Sequence, residues 1–180
     1  MLQITIPARE LWDDVKGEFS YTKERTLQLE HSLVSLSKWE MKWGKPFFTK
    51  EEKTYEETID YIRCMTITQN VPSEVYTLLT NENIAQINEY IAAPMTATVF
   101  SDNKKGSGSN EFVTNEVIYY WMNALQIDIK CEKWHINRLL TLIRVTNAKN
   151  NPSKKMSQKE TTEYYARLNE ERRKKYNSKG

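Results

Sequence analysis

Two histidines and two cysteines are the residues in this chain best suited to metal or nucleophilic chemistry. They are His31, Cys64, Cys131 and His135, and together they do not supply the paired spacing of a zinc finger. A lone histidine at the start of an apolar helix, such as His135, is expected to be a partly buried, hydrogen-bonded core residue. The cysteines are expected to behave as small apolar side chains. The sequence therefore predicts no metal site.

The motifs of the common catalytic sites are absent from the sequence. It contains no glycine-rich phosphate loop, no G-x-S-x-G elbow and no H-E-x-x-H motif. Carboxylates are plentiful between residues 51 and 60, but acid–base catalysis needs a pair of them in a cleft. A solvated helix face is the simpler interpretation. We therefore predict a protein that is not an enzyme, with no catalytic residues and no cofactor.

Charge is distributed unevenly along the 180 residues, whose net charge is +2. Residues 149–180 hold ten Lys and Arg against four Glu, whereas residues 1–148 hold sixteen against twenty acidic residues. A basic tail can bind phosphate or an acidic protein surface, although a solvated terminal helix explains the pattern equally well. No apolar run is long enough to span a membrane, and no secretory leader is evident. We expect a soluble protein.

The first 31 residues show the alternation of β-strands. Apolar and polar residues alternate over residues 2–6 and again over residues 26–30. Residues 15–19 are typical of a hairpin turn in which Gly17 adopts a positive φ. We predict a small antiparallel sheet of two to four strands within residues 2–31.

Helical spacing begins after residue 32. Leu36 and Trp39 belong to a first helix that ends at Gly44. A second helix is predicted to begin at a capping box formed by Thr49 and Glu52. Its apolar positions are expected to face the core, namely Tyr55, Ile59 and Ile62. Its acidic positions are expected to face solvent, namely Glu56, Glu57 and Asp60.

The middle of the chain is predicted to contain two further helices, a strand and a loop. A short helix is expected at residues 72–79, and a longer one begins at Thr80 and ends at Ala93. Residues 96–100 have strand propensity. Residues 101–111 form a polar, glycine-containing loop, which is either an exposed tip or a segment that becomes ordered on a partner.

Two apolar stripes after this loop are predicted to form the centre of the core. We expect four of their side chains to be buried together, namely Trp121, Leu139, Leu140 and Ile143. The first stripe consists of Val117, Tyr120, Trp121 and Leu125, and the second of Ile136, Leu139, Leu140 and Ile143.

The predicted fold is α+β and mostly helical. A small N-terminal antiparallel sheet or hairpin is followed by a helical bundle and a projecting C-terminal helix. We assign residues 1–150 to the body and residues 151–180 to a basic tail, whose helix opens at a capping box at 157–160. A helix with so few apolar residues is expected to dock weakly on the body or to project into solvent. Its short apolar stripe of Tyr164, Tyr165 and Leu168 is nevertheless sufficient to dock on a partner. The candidate partner-binding residues are Tyr164, Tyr165, Leu168, Arg172, Arg173, Lys174 and Lys175.

Three stretches resemble a family of phage morphogenesis proteins, the tail assembly chaperones of long-tailed bacteriophages. They are Leu29–Glu40, Ile118–Val145 and Lys154–Lys174. The resemblance implies a non-enzymatic helper in the cytoplasm of the infected bacterial host. Such proteins coat the helical tape-measure protein until tube subunits polymerise around it, and self-association is also possible.

Two other functions remain open at this point. The first is a structural virion component of the tail, baseplate or connector, which would be found in the virion. The second is a nucleic-acid-binding regulator that uses the basic tail, although the acidic body and the sequence pI of 8.4 make nucleic acid an improbable partner. Binding that depends on salt would identify the second.

Overall fold

A computed structural model describes residues 1–13, 17–100 and 112–150, together with residues 162, 165, 166, 169, 170 and 173. The fold is α+β and mostly helical, as predicted, with strands at the N-terminus followed by helices. The chain divides into two compact units, Met1–Thr146 and Asn147–Gly180. Within the described residues, no helix is both long and apolar enough to cross a lipid bilayer.

Four strands of five residues form one long hairpin. They are β1 (Leu2–Ile6), β2 (Arg9–Asp13), β3 (Glu18–Thr22) and β4 (Arg25–Leu29). β1 pairs with β4 and β2 pairs with β3, both antiparallel. The chain therefore runs out through β1 and β2 and returns through β3 and β4. Within the predicted turn, Gly17 has a φ of 67°, the positive value expected of it. The predicted antiparallel strands are confirmed.

The half of the hairpin formed by β1 and β4 belongs to the core. Ile4 lies opposite Leu27 in the register, and both side chains are buried. Ile6 and Leu29 are also buried. Ile6 is two residues from Ile4 and Leu29 is two residues from Leu27, so all four side chains point to the same face of the pair. The alternation in the sequence therefore marks the buried face of this pair.

Five α-helices and two 3-10 helices follow in the described part of residues 32–150. The α-helices are α1 (Leu33–Trp43), α2 (Tyr55–Met65), α3 (Asn81–Ala92), α4 (Asn115–Ala124) and α5 (Ile136–Asn150). The 3-10 helices are Ser73–Leu78 and Ile129–Lys133. Gly44 ends α1 in the left-handed conformation, with its N–H donating to the carbonyl of Glu40. This C-cap confirms the predicted end of the first helix.

The N-terminus of α2 differs from the prediction. The capping box forms at Thr54 and Glu57 rather than at Thr49 and Glu52: the Thr54 hydroxyl accepts from the N–H of Glu57, and Glu57 accepts from the N–H of Thr54. Both pairs fit the same T-x-x-E pattern. The second is selected because Glu57 also accepts a hydrogen bond from Lys45, in the loop after α1.

The orientation of α2 was predicted correctly at three positions and wrongly at three. Ile59 and Ile62 are buried and Glu56 is exposed, as predicted. Glu57 and Asp60, however, are buried, and Tyr55 is 74% exposed. The carboxylates can be buried because cations reach them from the end of α1: Lys45 pairs with Glu57, and Lys42 pairs with Asp60. A buried carboxylate with a cation and hydrogen-bond partners avoids the cost of an isolated buried charge.

The predicted strand at residues 96–100 is absent. The segment is irregular, and Val99 is 90% exposed. The intrinsic preference of these residues for strands is not realised, because none of the described strands lies beside them to pair with. The predicted loop at 101–111 lies outside the described residues.

The buried stripe of α4 is rotated by one residue from the predicted one. Ile118 and Met122 are fully buried, whereas Tyr120 is 68% exposed and Trp121 is half-buried. The helix packs on α1 through the face that begins at Asn115.

On α5, the predicted burial of Leu139 and Ile143 is confirmed. Leu140, however, is only half-buried. The reason is the same as for Trp121, because both side chains line a surface groove.

Candidate functional site

The fold brings the two histidines together in the core. The rings of His31 and His135 lie edge to face with centroids 5.0 Å apart, and the residues are 1% and 6% exposed. The junction between β4 and α1 runs beside the start of α5, so that Ser32 and His135 form a β-bridge. The N–H of Ile136 donates to the carbonyl of His31 at 2.7 Å. These backbone contacts hold the rings in place.

Each histidine has hydrogen-bond partners within the core. His31 Nδ1 lies 2.5 Å from the Tyr61 hydroxyl. His135 Nδ1 accepts from the N–H of Asn137 at 3.3 Å, and its Nε2 lies 3.0 Å from the carbonyl of Tyr90. A carbonyl only accepts, so Nε2 of His135 carries the proton and the ring is neutral. His135 is a hydrogen-bonded core residue, as predicted, but it is buried rather than partly buried.

The surroundings of this pair hold both rings neutral. Burial, and secondarily the neighbouring His135, lower the pKa of His31 to about 3. Burial also lowers the pKa of His135, which the hydrogen bond to Tyr90 opposes. Within the described part of the chain, no group of three or more His, Cys, Asp or Glu side chains is placed to hold a metal ion. The arrangement joins two elements of the core, and its bonds leave His135 no nitrogen for a substrate.

Both cysteine thiols are free and protonated at neutral pH. Burial raises the pKa of Cys64 to about 11, with a further contribution from Asp60, and burial also raises that of Cys131. A protonated thiol is a poor nucleophile and a poor metal ligand. The thiols therefore have the chemistry of small apolar side chains, as predicted.

The three buried carboxylates are committed to structural contacts. Glu40 accepts from the N–H of Phe47 at 2.6 Å, and from the N–H and the side-chain amide of Asn115 at 2.7 Å each. Glu57 and Asp60 are paired with lysines, and the hydrogen bond from Lys45 is the main cause of the lowered pKa of Glu57. These groups fix helix ends and loops. Glu40 also lines a small pocket of about 240 Å³, but its carboxylate oxygens already accept these hydrogen bonds.

An apolar groove of about 840 Å³ opens between α4, α5 and the segment that follows α3. Its walls include Pro94, Val99, Phe100, Trp121, Leu140 and Arg144. Of the described residues that line it, only Arg144 is charged, and its guanidinium lies 4.3 Å from the ring centroid of Phe100. We call this feature the groove.

Asn137 ties two walls of the groove together. Its side-chain amide donates to the carbonyls of Ile91 and Ala93, at 3.1 and 2.8 Å. The segment after α3 is therefore held against α5, although it has no regular secondary structure. This bond explains how an irregular segment can form the stable wall of a groove.

The half of the hairpin formed by β2 and β3, which we call the arm, carries two exposed aromatic side chains. β2 and β3 pair only with each other among the described strands. Phe19 and Tyr21 point to the same face because they alternate along β3, and they are 58% and 72% exposed. At the base of the arm, the Thr22 hydroxyl accepts from the N–H of Arg9 and donates to its carbonyl.

The partner-binding residues predicted in the tail are only partly described. Tyr165 and Arg173 lie in helical backbone, and both are exposed. The other five candidates lie outside the described residues, as does the predicted capping box at 157–160. The tail therefore stays a predicted interaction segment, and no described contact brings its candidate residues together. The unplaced candidates are Tyr164, Leu168, Arg172, Lys174 and Lys175.

Sequence reasoning missed the features that the geometry makes most prominent. The groove combines residues from three separate segments and has no local sequence signal. The arm did have one, because Phe19 and Tyr21 alternate with polar residues along the predicted hairpin. Comparison of the chain with protein-family models, curated proteins and solved structures gives no match.

Proposed function

We propose that this chain is a non-enzymatic assembly protein that binds other proteins through its surface. Its role would be similar to that of the tail assembly chaperones that the sequence resembles. The observation that carries this proposal is the arm. Two aromatic side chains stand exposed on a two-stranded ribbon, which is marginally stable by itself in water. A partner that covers them would gain most of its binding energy from such anchors.

The chemistry of the buried polar groups supports the same proposal. Burial keeps both histidine rings neutral and both thiols protonated, and the buried carboxylates accept hydrogen bonds from neighbouring groups. Each of these groups stabilises the body. A body organised in this way supports binding surfaces and gives no support to an acid–base or nucleophilic mechanism.

The partner that the resemblance implies is the tape-measure protein, a long helical protein that must stay soluble before the tube forms around it. Exposed aromatic residues such as Phe19 and Tyr21 can cover apolar stripes on such helices. The protein would then act in the cytoplasm of the infected host. A structural component of the tail, baseplate or connector would instead remain in the particle.

Co-purification with the tape-measure protein of the same phage tests the proposal. We expect the intact chain to retain the tape-measure protein, and the double variant Phe19→Ser, Tyr21→Ser to lose most of it. Met41→Ser is the matched control, because Met41 is an 82% exposed apolar residue on α1, away from the arm. Equal melting temperatures for all three proteins would show that the body is intact.

Two results would contradict the proposal. Undiminished capture by the arm variant would remove the arm from the interface, and capture lost on deletion of residues 154–180 would then place the interface in the predicted tail. Stoichiometric recovery of the chain from purified virions, measured by mass spectrometry, would replace the chaperone role by the structural one.

A further inference from the structure

We infer that a small carboxylic acid with an apolar body binds in a pocket between α2 and α3, with its carboxylate on Lys53. This α2–α3 pocket has a volume of about 250 Å³, and its described lining residues are different from those of the groove. Such a ligand would act in addition to the proposed protein partner, because the α2–α3 pocket and the arm are separate features of the body.

The α2–α3 pocket forms because its two helices pack on different elements. α2 packs on α1, whereas α3 packs on β1, and a space remains between the two helices. Isoleucines form most of its apolar wall: Ile87 and Ile62 are buried, and Ile84 and Ile91 are half-buried. They lie at helical spacing, so they face the same space.

Two aromatic residues of the wall are fixed by buried hydrogen bonds. The Tyr61 hydroxyl lies 2.5 Å from His31 Nδ1, and the backbone N–H of Phe47 donates to Glu40 at 2.6 Å. The rings of Phe47 and Tyr61 also lie against each other, with centroids 4.2 Å apart. The wall is therefore formed in advance of binding, as is usual for small-molecule sites.

Lys53 brings a positive charge to this apolar space. It is the only charged residue among the described residues that line the α2–α3 pocket. Its ammonium donates to the carbonyl of Phe47 at 2.8 Å and lies 4.0 Å from the centroid of the Phe47 ring. An ammonium has three N–H donors, so the bond to Phe47 leaves donors for an acceptor in the pocket.

Lys53 differs from the two lysines at the end of α1. Lys45 pairs with Glu57, and Lys42 pairs with Asp60, whereas no described carboxylate lies within ion-pair distance of Lys53. Burial lowers the pKa of Lys53, Glu57 opposes this effect, and Lys45 adds to it. An anion beside the half-buried ammonium would favour its charged form. The charge of the pocket therefore selects an anionic ligand.

The volume and the single cation define the size and charge of that ligand. An apolar cavity of about 150 Å³ holds benzene, so the α2–α3 pocket admits an alkyl or aryl compound of about ten non-hydrogen atoms. One carboxylate neutralises one ammonium. A phosphate monoester would place a second negative charge against apolar walls, which is costly. Octanoate has the required size and charge.

Titration of the isotope-labelled chain with octanoate, followed by two-dimensional amide NMR spectra, tests this inference. The octanoate concentration stays below that at which micelles form. We expect saturable shifts of the amide signals of residues 58–62 and 84–91, with a dissociation constant of about 1 mM or tighter. Octylamine has the same chain with the opposite charge, and it should bind about tenfold more weakly or worse.

Lys53→Met removes the charge and keeps an apolar stem, so it should weaken octanoate binding about tenfold or more. Lys50→Met is the matched control, because Lys50 is exposed in the same loop and does not line the α2–α3 pocket. It should bind octanoate as the intact chain does. Equal melting temperatures would show that both variants are folded.

A second pair of variants tests the site without changing Lys53. Asn88→Glu adds a carboxylate at an exposed position that lines the α2–α3 pocket, so it should weaken octanoate binding and strengthen octylamine binding. Gln86→Glu adds the same charge at an exposed position of α3 outside this lining. It should change neither affinity.

Three outcomes would overturn the inference. They are equal affinities for octanoate and octylamine, amide shifts confined to residues away from α2 and α3, and octanoate binding that Lys53→Met leaves unchanged. Capture of the tape-measure protein is measured separately. If the intact chain does not bind octanoate and Lys53→Met loses that capture, the α2–α3 pocket belongs to a carboxylate of the protein partner, and the free ligand is refuted.

Discussion

Mild acid is expected to destabilise this protein through its two buried histidines. The pKa of His31 is about 3 in the folded chain and 6.5 in its ordinary state. Between these values the unfolded chain binds a proton that the folded chain does not, so stability falls as the pH falls. The contribution of His31 is fully present above a pH of about 6.5 and is lost progressively toward pH 3.

The size of the effect follows from the same pKa difference. Each pH unit below 6.5 costs about 1.4 kcal/mol per histidine held neutral, so the change from pH 7 to pH 5 should cost about 2 kcal/mol through His31 alone. His135 adds to this loss, because burial lowers its pKa too. Such a loss is a large share of the 5–15 kcal/mol that is typical of a folded domain.

Urea unfolding at pH 7, 6 and 5, followed by tryptophan fluorescence, measures this loss directly as the free energy of unfolding at each pH. The variant His31→Gln keeps a neutral polar side chain at all three values, so its stability should change by about 2 kcal/mol less than that of the intact chain. The sequence contains only two histidines, so the double variant with His135→Gln should be nearly insensitive.

The choice of pH range keeps the carboxylates out of this measurement. Above pH 5 most Asp and Glu side chains remain ionised, and the pKa of Glu57 is lowered further by Lys45. An intact chain with equal stability at pH 7 and pH 5 would refute the reasoning. So would a His31→Gln variant that loses stability as steeply as the intact chain does.

Two further predictions concern the core and a helix cap. Leu139→Ala should cost about 2–5 kcal/mol of unfolding free energy because the side chain is fully buried. Leu140→Ala should cost clearly less, because Leu140 is half-buried in the groove. Equal losses of unfolding free energy in urea melts would contradict this placement. Thr54→Ala should lower the free energy of unfolding by about 1 kcal/mol, because it removes the N-cap of α2. Thr49→Ala should lower it little. A larger loss for Thr49→Ala than for Thr54→Ala would instead support the capping box predicted at Thr49 and Glu52.

The parts of the fold that were predictable are those fixed by local chemistry. The alternation of Ile4 and Ile6 predicts both the strand and its buried face, and Gly44 predicts the end of α1 because it takes the left-handed conformation easily. The capping box at Thr80 and Asn83 likewise fixes the start of α3. In each case, the residues that determine the structure are close neighbours in the sequence.

The predictions that failed depend on residues from other elements. Two T-x-x-E patterns compete at the start of α2, and Lys45 favours the one at Thr54 and Glu57 from outside the helix. The inward face of α4 is set by Glu40 of α1, which binds the backbone and side chain of Asn115. Periodicity within α4 contains no information about that contact, so the predicted stripe is displaced by one residue.

The buried polar contacts also explain why the groove exists at all. Glu40 binds the N–H of Phe47 on one side and Asn115 on the other. It thereby fixes both the part of the α1–α2 loop that contains Phe48 and the helix that carries Trp121. The histidine pair fixes the start of α5, which carries Leu140 and Arg144 as the opposite wall.

These polar contacts hold the walls of the groove in place, so that the walls do not depend on apolar packing alone. Protonation of His31 would release one of its two supports, because a charged ring is unfavourable in that buried site. Because the pKa of His31 in the folded chain is about 3, the groove should keep its shape in every folded molecule between pH 7 and pH 5, and acid should remove it only together with the fold.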